Sequence, residues 1–362
     1  MDNDSSLRVG IAGLGNIGHF HAERLVDRGI ALAGLDVDST ARERFADRFD
    51  APTYADLDHM LDRTDAIIVT TPNRYHEEYA VGAMEAGVDV LIEKPLAHTL
   101  ASAHRIAAAA ERSDAVCMVG FVNRFRAAVE VLMAQHDRGR FGEIQHIEAN
   151  YVRRRGIPGR GSWFTARDVA GGGALIDIGV HAIDLAMYIL DFPEVVEVAG
   201  VTRSTFGTRE NYAYLEMWGE DTGPEGFDVD DFAYAFIRCA DGRTISLETA
   251  WAANRPPNDA MIVHGTDAGA MLDREEEQLT IYEASTEGAD HFSDEIVRAR
   301  ERDPFAAEQE LFLAAAMEGI HPERNTVDEA LAVQRIIEAI YRSSEDGRAV
   351  RLDEIAVPEA AD

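Results

Sequence analysis

Leu7-Arg8-Val9-Gly10-Ile11-Ala12-Gly13-Leu14-Gly15-Asn16-Ile17-Gly18 decides how the first third of this chain folds. A short apolar run ends in three glycines spaced G-x-G-x-x-G, and helical spacing begins at Ile17. The strand before and the helix after turn a common glycine pattern into a dinucleotide fingerprint. In that reading Gly13 permits the tight turn, Gly15 lets backbone approach a pyrophosphate, and Gly18 allows the helix to pack close to the strand. Asn16 and Ile17 open the helix whose N–H groups would face the phosphates.

Outward from this turn, Leu7–Ala12, Ala31–Asp36, Ala66–Thr70, Val88–Ile92 and Ala115–Val119 read as buried parallel strands. Between them Ile17–Arg28, Thr40–Phe49, Tyr75–Ala86 and Thr99–Arg112 have helical spacing. That βαβ rhythm predicts a doubly wound parallel sheet, a Rossmann domain, over residues 1–123. Then the rhythm changes. A helix near Ala127–His136 gives way to alternating runs at Glu143–Val152, Val195–Ser204, Asp231–Cys239 and Thr244–Trp251. Helices are expected at Gly173–Leu190, Pro304–Glu318 and Val327–Ser343. Residues 124–362 therefore read as an α+β domain on a largely antiparallel open sheet, its closing helices free to pack back on the first domain. The class is α/β overall. The loops Arg153–Thr165 and Glu220–Asp230 are long enough to border a site, the second reading equally as acidic, solvated surface.

A chain of 362 residues exceeds what one core usually serves. Hydrophobic content of 46% and a mean hydropathy of −0.20 are ordinary, and no apolar run suggests a membrane span. The start, Met1–Ser6, is acidic and polar, without the features of a secretory signal, so the cytoplasm is the expected compartment. Cys117 and Cys239 lie far apart, without disulfide or zinc spacing. Acidic residues number 66 against 34 basic, a net charge of −32, which argues against nucleic acid and anionic lipid as partners. Lys94 is the single lysine among those 34; the other 33 are arginine. Such a composition suits molar salt and points to a halophilic source, while a GC-rich genome accounts equally for the arginines. Neither explains why one lysine remains.

Several residues carry candidate chemistry. Asp36 ends the second strand, about 20 residues beyond the glycines, where a carboxylate accepts from ribose hydroxyls and favours NAD; nearby Arg42 keeps NADP open. Lys94 follows the Val88–Ile92 strand at the carboxyl edge, where its ammonium can steady a developing alkoxide. Glu93 can orient Lys94 or contact cofactor. Asp177 and His181 are four apart on a predicted helix, hence on one face; the histidine suits removal of a hydroxyl proton, and the carboxylate can hold its tautomer. Asp184 would extend that face toward a metal site, but hydride transfer needs no metal and none is expected. Asn73 and His76 can meet the nicotinamide half of a cofactor, although Asn73 reads equally as a helix cap. Arg124 reads as a substrate ligand or a structural ion pair. Arg155, in the basic loop from Arg153 to Arg160 with Trp163 beyond it, can line a pocket for an anionic or polyhydroxylated substrate, while an arginine face paired with nearby acids is the plainer and slightly favoured reading. His19 and His21 face different directions on a helix and are not read as ligands.

Together with Thr71-Pro72-Asn73, His76, Glu93-Lys94-Pro95, Arg124-Phe125 and Gly171-Gly172-Gly173-Ala174-Leu175-Ile176-Asp177-Ile178-Gly179-Val180-His181, the fingerprint resembles the Gfo/Idh/MocA oxidoreductases over nearly the whole chain. Glu308, Phe312, Gly319 and Ile336–Gly347 share the resemblance. It implies that Lys94, Asp177 and His181 form the catalytic group, with a cis turn at Pro95 and the Thr71–Asn73 stretch at the cofactor. It implies NAD or NADP, a sugar or polyol oxidised at CH–OH, and a homodimer or homotetramer. An NAD-dependent glycoside hydrolase and a non-catalytic NAD(P)-binding sensor are the alternatives on the same fold.

Overall fold

Six parallel strands carry the first of two compact units in the computed structural model, which describes residues 7–216 and 219–355. They are β1 (Arg8–Ala12), β2 (Ala31–Leu35), β3 (Thr53–Tyr54), β4 (Ala66–Val69), β5 (Asp89–Glu93) and β6 (Cys117–Gly120), in the order β3-β2-β1-β4-β5-β6. The crossovers are α1 (Asn16–Asp27), α2 (Ser39–Phe49), α3 (Leu57–Leu61), α4 (His76–Glu85) and α5 (Leu100–Arg112). Strands β1 and β4 are apolar almost throughout because helices cover both faces of such a sheet. Asp38 and Thr99 start α2 and α5 by accepting the N–H of Thr40 at 2.9 Å and of Ser102 at 3.2 Å. The order reverses between β1 and β4, and the glycine turn sits there.

This unit holds the chain to Phe121 and also Phe305–Leu331. Phe312 and Leu313, in the later segment, join the core built from Val9, Ile11, Leu25, Phe45, Ile68 and Met118. Asn325 covers the β6 edge: its carbonyl accepts the Val119 N–H at 2.9 Å, and its amide donates to the Val119 carbonyl at 2.8 Å.

The second unit comprises Val122–Pro304 and, among the described residues, 332–355. It contains α6 (Ala127–Asp137), β7 (Ile144–Val152), α7 (Arg167–Ala170), α8 (Val180–Ile189), β8 (Val195–Arg203), β9 (Phe232–Cys239), β10 (Thr244–Ala250), β11 (Ala260–Gly265), β12 (Ala268–Asp273), β13 (Gln278–Ser285) and β14 (His291–Val297). Helices α9 (Pro304–Glu318) and α10 (Val327–Asp346) and the short β15 (Val350–Arg351) follow. The nine strands order as β14-β13-β12-β11-β7-β10-β9-β8-β15. All pairs are antiparallel except β7 with β10, whose parallel register sets Tyr151 beside Thr249 and Val152 beside Ala250. Alternation decides the faces: Ala233, Ala235 and Ile237 of β9 are buried, whereas Tyr234 and Phe236 are exposed.

Three features depart from the sequence reading. The sequence reading lacks the strands from Ala260 to Val297: β11 and β12 are six residues each and carry glycine, β13 buries three consecutive residues instead of alternating, and β14 is exposed almost throughout. The expected Gly173–Leu190 helix is π-wound over Leu175–Gly179 before α8 begins. And Arg167–Ile189 is long and apolar enough to cross a bilayer by composition, yet 78% of its apolar window is buried inside the protein, as for a core helix.

Candidate active site

In the first unit the glycine turn has the geometry of a phosphate cradle. Gly13 has φ +97°, and a Cβ there would stand 2.8 Å from the Thr70–Thr71 backbone. A Cβ on Gly18 would stand 2.1 Å from the Gly13 carbonyl oxygen, which is the close helix–strand approach. Gly15 is the opposite case: a Cβ would meet nothing within 4 Å, and no side chain caps the start of α1. Open backbone at an uncapped helix N-terminus fits a dinucleotide pyrophosphate held by Gly13, Gly15, Asn16, Ile17 and Gly18. Asp36 stands beside this turn, its carboxylate accepting the N–H of Leu14 at 2.8 Å and of Asp38 at 2.9 Å. Arg42 donates to the Asp36 backbone carbonyl at 2.6 Å rather than to its carboxylate.

At the end of β5 the Lys94–Pro95 bond is cis. The Lys94 N–H donates to Oε2 of Glu93 at 3.1 Å, and Oε1 of Glu93 lies 2.8 Å from Nε2 of His21. Burial opposes ionisation of Glu93, but the His21 hydrogen bond, the charge interaction with His21 and, after them, the Lys94 charge outweigh it and hold the carboxyl below its ordinary value. His21, set aside on sequence grounds as one of two histidines facing different ways, is fully buried and points at Glu93. Its signal was the helical spacing itself, which turns it inward. Asn73 is buried in the turn before α4, with Thr71 and Pro72 half-buried ahead of it. His76 corrects an expectation: it is only 1% exposed, and its ring bridges the carbonyls of Pro95 and Thr71, each at 2.9 Å. It ties the start of α4 to the Lys94–Pro95 turn instead of presenting an edge to cofactor. Two carbonyl acceptors invite a protonated ring, yet burial dominates and pushes its pKa below the ordinary value.

In the second unit the parallel pairing of β7 and β10 brings their carboxyl ends side by side, with Tyr151 on one and Trp251 just past the other. The buried indole of Trp251 donates to Oδ2 of Asp177 at 2.9 Å. The His181 and Tyr151 rings lie 6.5 Å apart, and Arg153 and Arg274 stand 5.2 and 4.7 Å from the Tyr151 ring centre. From Gly172 to Met187 every residue is buried except Asp177 and His181. The π-winding between them replaces the simple four-residue spacing of an α-helix.

The glycines ahead of this helix are explained by close approaches. A Cβ on Gly172 would fall 1.9 Å from the Tyr341 hydroxyl, and one on Gly173 1.8 Å from the Asp230 carbonyl oxygen. Asp230, in a loop that reads as solvated, is 3% exposed; its carboxylate accepts the N–H groups of Gly173 and Leu175, both at 2.9 Å, and the Tyr341 hydroxyl at 2.8 Å. Burial nonetheless pushes its pKa up.

The expected substrate ligands fare differently. Arg124 is fully buried, gripping Asp184 at 2.5 Å between the rings of Tyr188 and Phe192. This structural ion pair keeps Arg124 from the surface and occupies the carboxylate of Asp184, itself fully buried. Arg155 donates to the Ala253 carbonyl at 2.9 Å and to Asn254 at 2.7 Å and stacks on Phe206, so it fastens its loop. Trp163 is half-buried and stacked on Phe164 with centroids 3.8 Å apart.

Comparison with known proteins agrees with this geometry. Residues 7–121 match the model of the oxidoreductase family with an NAD-binding Rossmann fold, GFO_IDH_MocA, and residues 125–271 match the GFO/IDH/MocA C-terminal domain. D-glucoside 3-dehydrogenase of Escherichia coli is 30% identical over 96% of this chain and 98% of its own length. Levoglucosan dehydrogenase of Pseudarthrobacter phenanthrenivorans is 30% identical over 75% of this chain and 74% of its own. The crystal structure of GenD2 from gentamicin A biosynthesis, in complex with NAD, superposes with a TM-score of 0.76 at 26% identity, covering 95% of this chain and 96% of that one. With both of its units matched, the chain belongs to the Gfo/Idh/MocA oxidoreductase family.

Proposed function

We propose that the protein is an NAD(P)-dependent dehydrogenase that oxidises a CH–OH group of a sugar, polyol or sugar derivative to the carbonyl. The observation that carries this reading is the pairing of exposure with chemistry on one helix: along Gly172–Met187 only Asp177 and His181 reach the surface. In the proposed reaction His181 accepts the hydroxyl proton, and Lys94 donates a hydrogen bond to the oxygen as negative charge grows on it. Asp177, steadied by Trp251, orients His181 or a neighbouring hydroxyl. When bound, the nicotinamide supplies the acceptor for the hydrogen that leaves carbon with its electron pair. Asp36 beside the glycine turn favours NAD, since a 2′-phosphate would meet its charge. The relatives named for a glucoside and for levoglucosan support a carbohydrate substrate.

Three finer readings accompany this one. The open face of the nine-stranded sheet exposes Tyr234, Phe236, Tyr282, Phe292 and Ile296, which suits association of copies into a dimer or tetramer. The charge of −32 with one lysine suits a protein of a high-salt cytoplasm, as do the free, buried Cys117 and Cys239 for a reducing one. The test is a panel of sugars, polyols and phosphorylated or nucleotide-linked sugars with NAD and NADP in molar KCl. Net NADH or NADPH formation with at least one of them is expected. Tight cofactor binding without turnover, or sugar release without net reduced cofactor, would overturn it.

A further inference from the structure

His21, Glu93 and Gln309 belong to three separate elements, α1, the end of β5 and α9, and their side chains meet within the first unit. His21 and Gln309 are completely buried. The His21 ring has Nε2 2.8 Å from Glu93 Oε1 and Nδ1 2.8 Å from Nε2 of Gln309. The Gln309 amide also donates to the His21 carbonyl at 3.2 Å. An amide nitrogen only donates, so Nδ1 must accept, and the ring proton sits on Nε2, aimed at the carboxylate. Turning the amide over would set its oxygen against the His21 carbonyl oxygen. Gln309 Oε1 makes no hydrogen bond among the described residues, which is what holding the amide this way costs. Gln309 thus holds Nδ1 of His21 as an acceptor and leaves Nε2 as the ring donor committed to Glu93.

We propose that His21 and Gln309 are positioning residues for Lys94, acting through Glu93. This rests on the reading of Lys94 as a catalytic group. One carboxylate oxygen of Glu93 is held by His21, and the other accepts the Lys94 N–H at 3.1 Å, so the lysine side chain leaves from a pinned peptide. Fixing the root of a catalytic side chain from a buried layer is how small errors in its placement are avoided.

The test compares His21→Leu, His21→Gln and Gln309→Leu in the full-length holoenzyme. In His21→Leu, kcat falls about tenfold to a hundredfold while NAD affinity, read by fluorescence titration, stays within about threefold. His21→Gln, whose amide nitrogen can replace Nε2, recovers most of that loss. In histidine-labelled wild type, ¹⁵N–¹H spectroscopy shows the His21 ring protonated at Nε2 alone, whereas Gln309→Leu, which removes the donor facing Nδ1, lets Nδ1 take up a proton as well while Nε2 stays on Glu93. Equal loss of kcat in both His21 variants, loss of NAD affinity in step with kcat, or an Nδ1-protonated ring in wild type would overturn the inference. Should His21→Leu fail to fold, the Gln309→Leu spectra and the His21→Gln rates still decide it. Normal turnover in Lys94→Ala would remove the catalytic reading beneath it, whereas an inactive Lys94→Ala with a fully active His21→Leu would remove this inference alone.

Discussion

Trp251 and Asp177 are joined by a single hydrogen bond of 2.9 Å from a fully buried indole to a carboxylate at the surface. The donor is anchored just past β10, and the acceptor sits on the π-wound turn. Asp177 is therefore aimed by the sheet as well as by its own helix. Trp251→Phe keeps the ring in the core but removes the N–H. The expected outcome is a fall in kcat of about tenfold, the loss of roughly 1.4 kcal/mol of positioning, with NAD affinity unchanged. Unaltered kcat in the folded variant would show that the bond does nothing for the reaction.

Asp230 makes the case for stability. Its carboxylate collects two backbone N–H groups at the helix entry and the Tyr341 hydroxyl, all buried. Asp230→Ala leaves three donors without an acceptor and is expected to lower unfolding free energy by about 3 kcal/mol or more. Denaturant melts at matched m-values measure it; a loss near zero would mean that water or a neighbour takes over the three bonds.

His76 should give a pH-dependent signature. Burial holds its ring below the ordinary 6.5, with the Thr71 and Pro95 carbonyls offsetting only part of that. The unfolded chain therefore binds this proton more readily than the folded one, so the contribution to stability is complete above about pH 6.5 and is lost as pH falls below it. Between about pH 6.5 and 5, wild type should lose more Tm than His76→Gln does. Parallel slopes for the two proteins would contradict the assignment.

Asp36 should set cofactor choice. Its carboxylate is already oriented by the N–H groups of Leu14 and Asp38, ready to accept from ribose hydroxyls. Asp36→Ala is expected to weaken NAD about tenfold to a hundredfold and to narrow or reverse the preference over NADP. Isothermal titration with both cofactors checks this, and an unchanged ratio of affinities would count against it.

The first unit was largely legible because its signals are local. A glycine turn between an apolar run and a helix fixes both elements, and buried parallel strands such as Ala66–Val69 show as continuous apolar runs. The two-residue strand Thr53–Tyr54 escaped because two residues carry no period. In the second unit legibility fell where meaning depends on distant partners. Asp230 looks like a surface charge until Tyr341 and the helix-entry N–H groups of Gly173 and Leu175 are brought against it, and the choice between substrate ligand and structural ion pair for Arg124 is decided only by Asp184, 60 residues on. His21 and His76 are polar letters whose roles are set by Glu93, 72 residues on, and by the carbonyls of Pro95 and Thr71, 19 and 5 residues away. Lys94, Asp177 and His181 stood out for the opposite reason: one is the only lysine, and the other two are polar residues four apart in an otherwise largely apolar helical run.

Because Lys94 is the only lysine, it can be read without interference from any other. The most direct measurement is the rate of amine-specific labelling at Lys94, followed by peptide mass spectrometry on the folded protein alone, with NAD, and with NAD plus a turned-over sugar, alongside kcat of Lys94→Ala. Labelling should slow as cofactor and substrate bind, and the variant should lose about a hundredfold or more in kcat while still binding NAD. Equal labelling in all three states with near-normal turnover in Lys94→Ala would contradict the account.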